Sequence, residues 1–374
     1  MNRLRNVAVV GFSYVPIVAR DEHRTAQELL YEAVRGALDE SRIDRDAIDV
    51  QIAGSADYVD GKPFGFVQSL DVMGTWPPRR DSHLEMDGAF GVYYAWLRMQ
   101  AAECDTAMVV AYGKASEGNL DRVSNIRLDP YYQAPIGLES TSAAALQASA
   151  WMARTETTDR ELAEVAARNL EAAAANPDGM VRKAPTADEL QKTAWAVEPL
   201  RKGYLAPAGD SAVCLILAAE GKAERICPRP AWIQGIDQRA EMQTLGARDL
   251  SRSRGTELAG RGAFTMAAIE GASAADLVET AAVTPVEEMI VREALGLELR
   301  GNGAPAMNPS GGAFSGNPFM QTGLIRTGEA FRQLSGTAKG RKVAGARRAV
   351  VHATQGICLQ QNVVIVLGTD RRWT

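Results

Sequence analysis

Hydrophobic and polar residues follow two alternating periods along the first part of the chain. Residues 7–12 form a short apolar, β-branched run, which predicts a buried strand. Residues 26–41 place leucine, alanine and valine at helical spacing and predict a helix. Two further strands are predicted at residues 48–53 and 105–112, each ending at a glycine. This alternation of strands and helices predicts a parallel sheet with helices on both faces.

The pattern changes between residues 119 and 205. Residues 120–137 are rich in turn-forming residues, whereas residues 141–154 and 158–175 are alanine-rich and predict helices. Because strand-like alternation is missing from this stretch, we interpret it as a helical insertion. A strand predicted at residues 209–218 then returns the chain to the sheet.

The second half of the chain repeats the order of the first. Strands are predicted at residues 231–236, 276–279, 349–352 and 362–368, and helices at residues 262–270, 285–295 and 324–334. Two copies of a β-α-β-α-β order predict two domains of similar architecture. The first covers residues 1–225 and includes the insertion, and the second covers residues 226–374.

Composition restricts the class of protein. The chain has 374 residues, enough for two domains or one duplicated architecture. Its net charge of −5 argues against a general nucleic-acid-binding surface. The four cysteines lie far apart without a Cys-x-x-Cys pair, so neither a zinc site nor a disulfide framework is predicted. No apolar run approaches the roughly 20 residues that span a bilayer, and we predict a cytoplasmic protein without a membrane span.

Glycine and proline are concentrated between residues 308 and 323, directly before an amphipathic segment. The stretch holds four glycines and two prolines. Glycine lets a backbone approach a ligand closely, and a helix that follows offers unpaired N–H groups to an anion or a polarised carbonyl. Such a loop suits an active site, and the alternative is a tight surface connection between a strand and a helix.

This loop resembles the C-terminal active-site loop of the thiolase superfamily. Residues 308–312 read Asn-Pro-Ser-Gly-Gly, and residues 316–323 read Gly-Asn-Pro-Phe-Met-Gln-Thr-Gly. In thiolases a catalytic histidine stands at the position of Asn317. Residues 88–91 (Gly-Ala-Phe-Gly) are similar to the family's Cys-x-x-Gly elbow, so Gly88 stands where the acyl-accepting cysteine is expected.

The resemblance implies both a fold and a site. The fold is the α/β thiolase fold, in which two β-α-β-α-β halves form a five-layered α-β-α-β-α core with a helical loop-domain insertion. The site lacks its nucleophile and keeps donors for an enolate oxygen. The candidate catalytic residues are Asn317, His352 and Asp87, and the candidate oxyanion- or substrate-binding residues are Gly88, Gly356, Ser310, Gly311 and Gly312.

Each catalytic candidate also has a structural alternative. Asn317 is a possible loop cap, His352 a possible satisfied core histidine, and Asp87 a possible helix cap. We predict no metal site in this chain and no bound cofactor, and coenzyme A thioester is expected as substrate.

Because it lacks this cysteine, the chain resembles the lipid-transfer-protein subgroup of sterol-carrier-type thiolase-like proteins. Members of that subgroup include retro-aldolases for β-hydroxyacyl-CoA, which act with a small zinc-ribbon/OB-fold partner. The resemblance implies retro-aldol cleavage of a steroid or lipid side chain within a multi-subunit complex. It also implies a homo- or heterodimer with a thiolase-like chain. The alternatives are a non-catalytic subunit that supports a catalytic paralogue, and an acyl-CoA or lipid carrier.

Overall fold

The structure is a computed structural model that describes residues 4–61, 63–297 and 304–373. In chain order, its strands are β1 (Val7–Tyr14), β2 (Val50–Gly54), β3 (Arg80–Leu84), β4 (Thr106–Lys114), β5 (Trp195–Val197), β6 (Leu200–Arg201), β7 (Asp210–Ala219), β8 (Ala231–Ala240), β9 (Leu277–Thr280), β10 (Ala306–Met307), β11 (Arg348–Gln355) and β12 (Gln361–Gly368). Its α-helices are α1 (Ala26–Ser41), α2 (Asp57–Asp60), α3 (Val67–Met73), α4 (Gly88–Gln100), α5 (Leu120–Ile126), α6 (Ser140–Thr155), α7 (Asp159–Ala174), α8 (Ala187–Leu190), α9 (Ala223–Ile226), α10 (Arg254–Ala267), α11 (Pro285–Ala294) and α12 (Thr322–Ser335).

Each half contributes five strands to the main sheet, and the two sets pair in the same order. The first half is arranged β1-β7-β4-β2-β3 and the second β8-β12-β11-β9-β10, with β1 next to β8. In each half one strand, β7 or β12, runs antiparallel to its neighbours, while the strands beyond it pair in parallel.

The sheet is therefore mixed, and the prediction of a parallel sheet is wrong. β12 follows β11 through a short loop, which is the connection of an antiparallel pair. β7 arrives only after the long insertion and lies antiparallel between β1 and β4. Strand–helix–strand order in the sequence does not reveal either reversal.

The helices form three layers around the two half-sheets. α1 packs against β1 and β7, and α10 packs against β8 and β12. α4 contacts β2 and β4 of the first half and β8 and β12 of the second, and α12 likewise contacts strands of both halves. Because α4 and α12 touch both half-sheets, they form a central layer. The order α-β-α-β-α confirms the five-layered arrangement expected from the sequence.

Two stretches differ from their predicted structure because local composition hid the signal. α10 begins at Arg254 rather than residue 262, since the Ser253 side chain caps it by accepting from the N–H of Thr256. Glycines inside this helix weakened its pattern in the sequence. The insertion holds the predicted helices and also a short hairpin, β5–β6, whose strands are too short for alternation to register.

The edge strand β3 also went unpredicted. Its residues Arg80, Asp81, Ser82 and His83 are polar and partly exposed, so the run carries no apolar signal. Within the described ranges, every helix is too short or too polar to traverse a bilayer.

Candidate active site

A cavity of about 310 Å³ lies where the two central helices begin. Its walls come from the start of α4, the loop before α12, the start of α11, the loop between β11 and β12, and helices α5 and α6 of the insertion. Among the predicted site residues, Asp87, Asn317 and Gly356 line it. The insertion therefore closes a space that the two halves of the core build together.

Asp87 connects the two central helices. Its Oδ1 accepts from the N–H of Ala89 at 2.8 Å in α4, and its Oδ2 accepts from the N–H of Gly323 at 2.8 Å in α12. Its own N–H donates to the side chain of Gln355. Burial raises the pKa of Asp87 to about 7, although hydrogen bonds from these helix termini favour the charged form. The carboxyl is thus both the helix cap considered from the sequence and a group able to exchange a proton near neutral pH.

Asn317 is held by its backbone and by one side-chain oxygen. Its N–H donates to the carbonyl of Pro207 at 2.7 Å, and its carbonyl accepts from the N–H of Gly209 at 3.2 Å. Its Oδ1 accepts from the Thr322 hydroxyl at 2.7 Å. Because the oxygen is occupied, the side-chain amide N–H groups are the donors that Asn317 can offer to the cavity.

Gly356 also lines the cavity, at the start of the loop between β11 and β12. Its φ of +80° is in the left-handed region that favours glycine. An added Cβ would come within 2.3 Å of the side-chain oxygen of Gln360. The glycine therefore sets the path of the loop along the cavity wall.

His352 is not brought to the cavity. It is fully buried on β11, and its Nε2 lies 3.0 Å from Oδ1 of Asn362 and 3.3 Å from the Thr256 hydroxyl of α10. Burial lowers its pKa to about 4, so the imidazole is neutral near pH 7. Its Nε2 contacts the outer helical layer, but its buried Nδ1 has no hydrogen-bond partner among the described residues, so it is a core histidine that is satisfied at one nitrogen only.

Ser310, Gly311 and Gly312 also lie away from the cavity wall, in the buried core. The Ser310 N–H and hydroxyl donate to Glu279 at 3.0 and 2.7 Å, and Arg326 donates to the same hydroxyl at 2.5 Å. Gly311, with φ of +95°, packs against the backbone of Ala173, so that an added Cβ would lie 2.5 Å from its Cα. These residues fix the loop through contacts in the buried core.

Sequence comparisons relate the chain to proteins of known families. The thiolase C-terminal domain-like family model matches residues 238–369. Acetyl-CoA acetyltransferase of Methanothermobacter thermautotrophicus is 29% identical over 243 residues, which cover 61% of this chain and 63% of that protein. Sterol carrier protein 2 of Gallus gallus is 29% identical over 210 residues, which cover 51% of this chain and 38% of that protein. The chain is thus similar to the thiolase superfamily and, within it, to the sterol-carrier-type group.

The same family relation is visible in the fold. The Ltp2-ChsH2(DUF35) aldolase superposes on this chain with a TM-score of 0.82, over 98% of both chains at 18% identity. At that identity the likeness shows a shared thiolase fold. The chain spans less than two thirds of the length of the two sequence relatives, at 63% and 38%.

In this thiolase-like chain the nucleophile position is closed by packing. An added Cβ at Gly88 would lie 2.6 Å from Cδ2 of Leu324 and 2.9 Å from Cβ of Ala111. Real Cβ atoms do not approach so closely, so Leu324 occupies the space that a cysteine side chain would need. Gly88 is buried and directly follows Asp87, which lines the cavity.

Glu287 lines the cavity and was missed by the sequence analysis. Its Oε2 accepts from the N–H of Val283 at 2.8 Å, and burial raises its pKa to about 7. In the sequence, Thr284 and Glu287 have the spacing of a capping box, which suggests a purely structural role. Only the folded chain places this carboxyl in the same cavity as Asp87.

Cys358 lines the cavity as a thiol. Its Sγ lies 3.2 Å from the carbonyl of Ala143, to which the S–H donates. Burial, with the nearby charge of Glu287, raises its pKa to about 12, so the thiolate needed for nucleophilic attack is disfavoured. Among the described residues, no three of the His, Cys, Asp and Glu side chains lie close enough to share a metal ion.

Proposed function

We propose that this chain acts on acyl-CoA thioesters and cleaves a β-hydroxyacyl-CoA by a retro-aldol reaction, as a subunit of a larger complex. One observation carries the proposal: two buried carboxyls with pKa values of about 7, Asp87 and Glu287, line one cavity with the Asn317 amide. Leu324 fills the nucleophile position in the same site. A reaction that needs acid–base groups and an oxyanion site without a nucleophile fits this combination.

The proposed reaction uses the two carboxyls in turn. An ionised carboxyl takes the proton of the β-hydroxyl, and the O–H electron pair forms the new carbonyl. The Cα–Cβ bond breaks, and its electron pair moves into the thioester to form an enolate. A protonated carboxyl then donates a proton to Cα. The products are an aldehyde or ketone and a shortened acyl-CoA, with no covalent intermediate on the protein.

Glu287 and Asp87 take different parts in this scheme because their surroundings differ. Asp87 accepts two backbone N–H groups at helix termini, which offset only part of the effect of burial and leave its pKa at about 7, so we assign its protonated form to the proton transfer to Cα. Glu287 has one oxygen bonded to Val283, and we assign its other oxygen to the β-hydroxyl. The side-chain amide of Asn317 and the backbone N–H of Gly356 are the proposed donors to the enolate oxygen.

The relatives support the acyl-CoA part of the proposal. The similar proteins include an acetyl-CoA acetyltransferase, and the solved aldolase with the same fold carries a second component in its name. We propose that this chain likewise works with a zinc-ribbon/OB-fold partner and pairs with a thiolase-like chain. Coenzyme A thioester enters as substrate, with no separate cofactor. The four cysteines, which are buried and free, suit a cytoplasmic location.

A second candidate function rests on the closed nucleophile position. A thiolase-fold subunit that supports a catalytic paralogue needs no nucleophile, and Leu324 against Gly88 is compatible with that role. An acyl-CoA carrier would also tolerate it. Both alternatives predict that the carboxyls of this chain are irrelevant to turnover.

The test is cleavage of a panel of β-hydroxyacyl-CoA thioesters by the chain, alone and with its partner, followed by mass spectrometry of both products. Glu287→Gln and Asp87→Asn are each expected to lower the cleavage rate by about 10²- to 10⁴-fold. Asn retains an acceptor for the N–H of Ala89 but loses the acceptor for the N–H of Gly323, so the folding of Asp87→Asn is checked by circular dichroism. Glu270→Gln, an exposed change outside the cavity, serves as the matched control. Wild-type rates in both carboxyl variants would favour the supporting-subunit function instead.

A further inference from the structure

Arg127 lies at the wall of the same cavity as Asp87 and Glu287. It follows the last residue of α5 and forms the C-terminal cap of that helix. Its backbone carbonyl accepts from the Gln243 side chain at 2.7 Å, which fixes the backbone at this point. The proposed reaction gives Arg127 no task.

The guanidinium of Arg127 makes no hydrogen bond or ion pair with any residue that the structure describes. Burial lowers its pKa, and the charges of Glu85 and Tyr58 only partly oppose that effect. A cation withdrawn from water without a partner costs free energy, which an anion placed beside it would recover.

Other buried or partly buried arginines form ion pairs with described residues, which Arg127 does not. Arg332 pairs with Glu329 at 2.9 Å and Asp178 at 3.2 Å, and Arg168 pairs with Glu288. The basic cluster at residues 339–348 is also largely neutralised, because Lys339 pairs with Asp178 and Arg341 with Glu171. Arg127 stands apart from these because it reaches a cavity and lacks a partner in the described chain.

Most groups around Arg127 suit an anion, and the acidic exceptions are Glu85 and Asp121. Ser124, Ser140, Thr141 and Gln243 line the same part of the cavity and supply hydroxyl and amide groups. Asp121 also lines it, and burial and the charge of Glu139 raise its pKa. Asp121 is the second residue of α5 and Arg127 follows its last residue, so about 9 Å separate them along the helix axis.

The position of Arg127 indicates which part of an acyl-CoA it meets. It lines the same cavity as Asp87 and Glu287, where bond cleavage is proposed. A separate recess, which shares Leu205 with this cavity, is lined by Lys183 and also by Glu189 and Thr193. We assign its lysine to the phosphates of coenzyme A, while Arg127 remains beside the acyl group.

We infer that Arg127 binds a carboxylate carried by the acyl group, so that the substrates are coenzyme A monothioesters of dicarboxylic acids. This inference rests on the proposed function and specifies its substrate class. The planar guanidinium can hold a carboxylate through two parallel hydrogen bonds, which a neutral acyl chain cannot form.

The test measures binding, so that it does not depend on turnover. Dissociation constants are determined by calorimetry for matched pairs of equal carbon number: succinyl- and butanoyl-CoA, glutaryl- and pentanoyl-CoA, and adipoyl- and hexanoyl-CoA. The full chain, alone and with its partner, is expected to prefer the carboxylate of at least one pair by about 10- to 100-fold. Arg127→Gln is expected to reduce that preference to less than about threefold. Arg122→Gln, an exposed change in the same helix outside the cavity, is expected to leave the preference intact.

The other outcomes separate the possible failures. Equal binding within all three pairs overturns the inference while leaving acyl-CoA binding in place. Equal weakening of both members of each pair by Arg127→Gln would mean that Arg127 contacts the coenzyme A phosphates, which also overturns it. If none of the thioesters binds, the proposed function fails, and the inference fails with it.

Discussion

The contact between Gly88 and Leu324 gives a prediction about packing that can be tested without a substrate. Gly88→Ala would place a methyl group 2.6 Å from Cδ2 and 3.0 Å from Cβ of Leu324, and 2.9 Å from Cβ of Ala111. Carbon atoms pack at about 3.5–4.0 Å, so the overlap is close to 1 Å. Leu324 is fully buried, so it cannot move into solvent without rearranging the core.

The expected magnitude follows from two opposing terms. Overpacking of this kind costs about 1–3 kcal/mol. Replacing glycine by alanine in a helix returns about 0.5–1 kcal/mol. The net loss in the free energy of unfolding is therefore expected to be about 1–2 kcal/mol. Packing then requires a glycine at position 88, so the residue does more than remove the thiol expected there.

A double-mutant cycle isolates the contact. Urea denaturation is measured for the wild type, Gly88→Ala, Leu324→Ala and the double variant. Once Leu324 is shortened, the alanine at position 88 is expected to cost nothing or to stabilise, so the coupling energy should exceed about 1 kcal/mol. Equal effects of Gly88→Ala in both backgrounds would refute the reasoning, because the space at Gly88 would then not be filled by Leu324.

Three further predictions concern the site and the assembly. Asn317→Ala should lower acyl-CoA cleavage by about a hundredfold, the usual loss on removing one oxyanion donor. Asn317→Asp should lower it further because it sets a negative charge against the enolate. The measurement is the single-turnover rate at saturating thioester, and wild-type rates in both variants would contradict this prediction. Glu287 has a raised folded pKa, so its stabilising contribution is complete below pH 4 and is lost as the pH rises to about 7. The Glu287→Gln variant stays neutral, so its free energy of unfolding should rise relative to the wild type between pH 5 and pH 8, by at most about 3 kcal/mol in urea titrations. If the difference in free energy of unfolding between the two proteins did not depend on pH, the carboxyl would be exposed to water. Sedimentation velocity of the chain with its partners should show a dimeric core, because β3 leaves a half-exposed sheet edge, and a concentration-independent monomer would argue against it.

Much of the fold follows from local sequence pattern. α1 covers the residues that its amphipathic pattern predicts, and it begins there because Thr25 and Glu28 form a capping box. The internal duplication was readable because each half repeats the same alternation. Strand direction was not readable, since β7 and β12 are reversed by connections whose length and path depend on tertiary packing.

The candidate site was less predictable because its residues come from distant segments. Asn317 and Gly356 could be located by resemblance to a family loop, and Asp87 by its place before a helix. His352 illustrates the limit of such reasoning, since β-strand alternation directs it to the outer face, where Thr256 and Asn362 meet it. Glu287 illustrates the converse, because its capping spacing hides a carboxyl that only the fold brings beside Asp87.

The hydrogen bonds of Asp87 make its proton affinity a measure of how the two halves are joined. One oxygen is bonded to a helix of the first half and the other to a helix of the second. If the halves separate slightly, the carboxyl loses donors from one side and gains access to water, so the balance that sets its pKa changes. The pKa of Asp87 therefore depends on how firmly the two halves of the core are held together. A substitution deep in either half that loosens the seam between them would change the pH response of the cavity without touching a residue that lines it.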